Sequence, residues 1–134
     1  MKIMHRRLFL AFAAVAAIIA SLPLMPGREG ALMRLQASGT VRIGYAVEPP
    51  FAFLGDRGEV TGEAPEIARH VVERLRIAHI EWRQTEFGNL IRELEAGRID
   101  VIATGLFITP ERSRRVLFSR PTMRVRQALL VQSG

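Results

Sequence analysis

The chain has 134 residues, 49% of them hydrophobic, and a formal charge of +6. That is enough apolar material for one ordinary globular domain, and it argues against intrinsic disorder. Cysteine is absent, which excludes disulfides, thiolate metal sites and a lipid-modified cysteine. All basic residues but Lys2 are arginine, and setting aside Lys2, Arg6 and Arg7 leaves a surplus of about +3. No basic run is interleaved with aromatics, so nucleic-acid binding is excluded as a leading function.

Residues 1–27 read as an export leader. Lys2, His5, Arg6 and Arg7 make a basic start, and residues 8–20 are unbroken apolar sequence of signal length. The Arg6-Arg7 pair resembles a twin-arginine signal. The competing expectation is an uncleaved anchor over residues 8–25, interrupted by Pro23. A linker follows over residues 23–30. Residues 28–134 form the expected folded part.

Within it, residues 32–37 are expected as a short helix ended by Ser38-Gly39. Residues 40–46 alternate, with Val41, Ile43 and Tyr45 on one face, and read as the first strand. Pro49-Pro50 implies an extended segment, and residues 55–58 a turn. A helix is expected over residues 65–76, since Ala64, Ile67, Ala68, Val71, Val72 and Leu75 recur at helical spacing. A strand over residues 79–84 and a helix over residues 89–96 follow, the latter stopped by Gly97. Residues 99–103 read as a buried strand. Thr109 is a good N-cap, Pro110 suits the first helical position and Glu111 complements the helix dipole, so a helix should run over residues 110–116. A last strand is expected over residues 124–131. The alternation of strands and helices implies an α/β fold with a mostly parallel sheet and flanking helices.

Residues 100–112 (Asp-Val-Ile-Ala-Thr-Gly-Leu-Phe-Ile-Thr-Pro-Glu-Arg) place Arg112 in the first turn of a helix, beside the carboxyl end of a strand. Ligands bind at such ends in open α/β sheets, and a guanidinium there can grip a carboxylate through two parallel hydrogen bonds. This segment, with residues 41–53 and 58–75, resembles family 3 periplasmic solute-binding proteins of ABC importers. The resemblance implies a periplasmic-binding-protein type II fold, of which only the incomplete first lobe is present. It also implies a periplasmic location and, once a second lobe completes the chain, a membrane permease as partner.

Carried over position by position, the resemblance implies a ligand site of Glu48, Phe51, Phe87, Thr104, Gly105, Phe107 and Arg112. Phe107 replaces a small hydroxyl residue that amino-acid receptors of the family often carry. Three aromatic rings, one carboxylate and one guanidinium suit a compact zwitterion with a delocalised cation. Among family members the motifs look most like ectoine and hydroxyectoine receptors. Open alternatives are a polar amino-acid receptor, an anchored sensor domain, a dehydratase-like enzyme of the same fold, or a gene fragment without independent function. No enzyme activity is expected, because only Glu48 offers a cleft carboxylate and no base joins it. His70 and His79 lack partners at metal-ligand spacing, and no metal or cofactor is expected. A half-site open to water is expected to bind weakly or not at all alone.

Overall fold

A computed structural model describes residues 28–125 and 128–132, so the expected leader over residues 1–27 lies outside the described residues. The elements are α1 (Arg28–Ser38), β1 (Thr40–Tyr45), β2 (Phe53–Leu54), β3 (Val60–Thr61), α2 (Glu63–Arg74), β4 (His79–Gln84), a 3-10 turn (Phe87–Asn89), α3 (Leu90–Glu95), β5 (Val101–Ile102) and α4 (Pro110–Ser113). The chain divides after Arg34 into two compact units, and the unit from Leu35 onward holds the whole sheet. Among the described residues no helix is long and apolar enough to cross a membrane.

The main sheet has the order β4-β1-β5, all parallel, with Ile43 opposite Trp82 on one side and Val101 on the other. Side chains alternate across a strand, so β1 feeds both faces. Val41 and Ile43 are buried against α2, packing with Val72, Ala64, Ala68 and Leu75. The other face carries Gly44 and Ala46, and there α3 delivers Leu90 beside Ile99. Gly44 is closely packed: a Cβ at that position would lie 2.3 Å from Ile99 Cδ1, which would have to move. Tyr45 departs from this scheme and packs with Ala52 and Val60, its ring edge-on to Trp82 at 6.1 Å.

Chain reversals explain the element ends. Gly39 and Gly97 sit at φ 69° and 67°, where a side chain would be strained. Arg76 adopts the same left-handed conformation at φ 57°, and Ile77 N donates to Val72 O at 3.2 Å, closing α2 with a Schellman turn. At the strand starts, Arg42 forks onto Asp100 (2.9 and 2.7 Å) and its amide donates to the same carboxylate at 2.9 Å. The guanidinium is held more basic than usual by that hydrogen bond.

The turn expected over residues 55–58 is present, and three other expectations need correction. Pro49-Pro50 is not extended: it forms a turn with a cis peptide bond, across which Glu48 and Ala52 pair as an isolated bridge. The residue 55–58 turn joins the antiparallel ribbon β2–β3, whose two-residue strands have too little sequence to show alternation. The helix expected over residues 110–116 ends at Ser113, although Val116 N still donates to Arg112 O at 3.0 Å. The strand expected over residues 124–131 does not form in its described part; Leu129, Leu130 and Val131 stand almost fully exposed. A strand needs a neighbour, and among the described residues none lies on the outer side of the two-residue β5.

Candidate functional site

The path of the chain sets the location of the site. From the central β1 it moves to β4 on one side, then crosses to β5 on the other, so the strand order reverses between β1 and β5. Loops leaving adjacent strands in opposite directions open a crevice at their carboxyl ends. The loop after β1 carries Glu48 and Phe51, the turn after β4 begins with Phe87, and the stretch after β5 carries Thr104, Gly105 and Phe107 and leads into α4 with Arg112. All seven expected residues therefore lie on connections leaving the same end of the sheet.

Two contact groups form there. In the first, Glu48 is pinned by its backbone: its amide donates to Ala52 O (2.7 Å), and its carbonyl accepts from Phe51 N (2.8 Å). Thr104 Oγ1 donates to Ala46 O at 3.4 Å, a long bond between the β1 and β5 loops. Gly105 lies directly under Phe51 and Glu48; a Cβ there would fall 2.7 Å from the Phe51 ring and 3.0 Å from Glu48 Oε2. That oxygen is buried and has no hydrogen-bond partner among the described residues. A buried acceptor without a donor is costly, and a ligand N–H group would relieve it.

In the second group, Thr109 caps α4 as expected, its Oγ1 accepting from Arg112 N at 3.2 Å. The Arg112 guanidinium carbon lies 5.5 Å from the Phe87 ring centroid, and Nη1 donates to Phe107 O at 3.0 Å. Arg112 thus ties the turn after β4 to the loop after β5. One face of the Phe87 ring carries a guanidinium from the chain itself, while Phe107 stands half-exposed. The Phe107 carbonyl was not legible in the sequence, since every residue carries one and only the fold aims it.

A cavity of about 750 Å³ shares Phe51, Thr104, Gly105 and Phe107 with these groups but not Glu48, Phe87 or Arg112. It extends along α2, where Ile67 and Val71 remain substantially exposed, and beside β5. Its lining is mostly apolar. Beyond the crevice, Arg115 forks onto Glu95, its Nε 2.9 Å from Oε1 and its Nη2 2.7 Å from Oε2. Those hydrogen bonds hold the Glu95 carboxyl below its usual range. The pairing spans 20 residues and no sequence signal announced it. Among the described residues no group of three or more His, Asp or Glu is placed to hold a metal ion.

A model of the bacterial extracellular solute-binding proteins, family 3, matches residues 41–134. The chain is 36% identical over 132 residues to the probable amino-acid ABC transporter periplasmic-binding protein y4tE of Sinorhizobium fredii, covering 94% of this chain and 44% of the relative. It thus spans less than half the length of that relative. Among solved structures, EhuB in complex with hydroxyectoine is 43% identical with a TM-score of 0.62, covering 66% of this chain and 34% of EhuB. The arginine-bound form of domain 1 from TmArgBP is 32% identical with a TM-score of 0.62, covering 66% of this chain and 70% of that domain.

Proposed function

We propose a function from one premise: the chain belongs to family 3 of the bacterial extracellular solute-binding proteins. In this reading residues 28–134 are the first lobe of an extracytoplasmic receptor that delivers a small zwitterion to the permease of an ABC importer. Residues 1–27 serve as its export leader. The ligand carries a carboxylate at one end and a delocalised nitrogen cation at the other. Arg112 grips the carboxylate, Thr104 and Gly105 offer a hydroxyl and a backbone amide beside it, Glu48 accepts from the cation, and Phe51 and Phe107 cover its faces.

The observation that carries this reading is the juxtaposition at one sheet end of a braced guanidinium and a buried, donorless carboxylate oxygen. A compatible solute of the ectoine type meets both, and the likeness to EhuB in complex with hydroxyectoine supports it. A cationic amino acid is the second reading. It is supported by the arginine-bound domain 1 from TmArgBP, which also argues that one lobe can hold a ligand without its partner lobe.

The magnitudes set the range. One guanidinium–carboxylate contact contributes roughly 1.5–3 kcal/mol and each aromatic face about 0.5–2. Immobilising the ligand removes several of these, and a dissociation constant near 1 mM needs about 4 kcal/mol net. Calorimetric titration of the full chain with ectoine, hydroxyectoine and arginine is expected to show saturable binding of at least one, at high micromolar to millimolar concentration. Tightest binding by ectoine or hydroxyectoine supports the first reading, and by arginine the second. No saturable heat from any of them would reject both.

A further inference from the structure

We propose that Glu95 and Arg115 form a positioning pair that holds Arg112 against Phe87, and so set how firmly the crevice grips a carboxylate. The inference rests on the ligand-gripping role of Arg112 proposed above. It starts from a mechanical problem: α4 has only four residues, and a helix that short does not persist without outside support. Its amino end is held by the Thr109 cap and its side by the bond from Arg112 Nη1 to Phe107 O. Neither tie reaches the following turn. There Arg115 N and Val116 N both donate to Arg112 O, at 2.9 and 3.0 Å, so Arg115 belongs to the same turn as Arg112.

Glu95 is the last residue of α3, and Phe87 opens the 3-10 turn that runs straight into α3. The α3 unit therefore holds the α4 turn at two points, through the Phe87 ring on Arg112 and through the Glu95 carboxylate on Arg115. Both points must hold for the guanidinium to keep its place over the ring. Most exposed ion pairs contribute little, but two parallel bonds between planar groups fix orientation as well as distance. The neighbouring pair Glu93–Arg98 has the same forked contact and lies on the same side of α4 in sequence, yet it joins α3 only to its own following loop. It is the natural control.

The test uses the full chain and the nuclear magnetic resonance signals of the Arg112 side chain, which the Phe87 ring displaces from their free values. Glu95→Gln and Arg115→Gln are each expected to lose most of that displacement. The charge-swapped double variant Glu95→Arg/Arg115→Glu is expected to recover much of it, and Glu93→Gln to leave it unchanged. With hydroxyectoine and arginine as probes, Glu95→Gln is expected to weaken binding about threefold to fivefold, the scale of one well-formed ion pair. Undisturbed Arg112 signals in Glu95→Gln, or equal loss in Glu93→Gln, would overturn the proposal. Binding that survives Arg112→Ala would instead reject the gripping role itself, while the ring displacement still reports on the pair.

Discussion

Replacing Arg112 with alanine is expected to remove measurable binding of any carboxylate-bearing ligand while leaving the fold intact. The side chain contacts the face of Phe87 and one carbonyl, that of Phe107, and it plugs no core. Its loss costs the ligand a charge-assisted contact of roughly 1.5–3 kcal/mol, or about tenfold to 150-fold in affinity. From a millimolar starting point that places the variant beyond detection. Arg112→Lys is expected to fall between the two, because an ammonium keeps the charge but lacks the planar fork and stacks poorly on a ring. Parallel thermal melts and titrations check this. Parent-like binding by Arg112→Ala would show that the carboxylate sits elsewhere.

The second large effect is expected at Gly62. Its φ of 118° is a conformation that side chains rarely adopt, and a Cβ there would lie 2.7 Å from Phe51 O and 2.9 Å from Pro50 O. Those oxygens belong to backbone and cannot swing aside. They are also the acceptors for the first free amides of α2, Glu63 N to Pro50 O at 3.2 Å and Ala64 N to Phe51 O at 3.0 Å. Gly62→Ala must therefore move the Phe51 turn and break both bonds. Strain of about 1–3 kcal/mol and roughly 1 kcal/mol per hydrogen bond give a loss of about 3–5 kcal/mol. That is a large share of the ~5–15 kcal/mol available to a domain. Denaturant unfolding should show it, with weakened binding in whatever variant remains folded because Phe51 has shifted. A loss below about 1 kcal/mol would mean that the turn and α2 are not coupled as described.

Much of this architecture could be read from residue pattern. The apolar stripe of α2 and the Val41-Ile43 alternation of β1 are strong periodic signals: Ala64, Ala68, Val72 and Leu75 pack with Val41 and Ile43, while Ile67 and Val71 of the stripe stay exposed. Thr109-Pro110-Glu111 announces a helix start through local chemistry alone, and the cap is present. What escaped depends on partners rather than on local sequence. The residues of β2 and β3 pair across a glycine turn over too few positions to alternate. Residues 128–131 have strand composition but nothing to pair with among the described residues. Leucine and valine side chains there cannot supply the missing backbone partners. In the crevice, position at a strand end pointed to Arg112, and the family resemblance supplied Glu48, Phe51, Phe87, Thr104, Gly105 and Phe107. Neither revealed that Phe87 braces Arg112, because that stack depends on where α3 sets the turn before it.

The measurement that bears most directly on the account is a residue-by-residue map of ligand contact by nuclear magnetic resonance, made on the full chain with hydroxyectoine and, separately, arginine. The expected result is signal change concentrated at Glu48, Phe51, residues 104–107 and Arg112, with the α2 positions Ile67 and Val71 unmoved. Changes centred on Ile67, Val71 and the apolar space beside β5, with Arg112 silent, would contradict it.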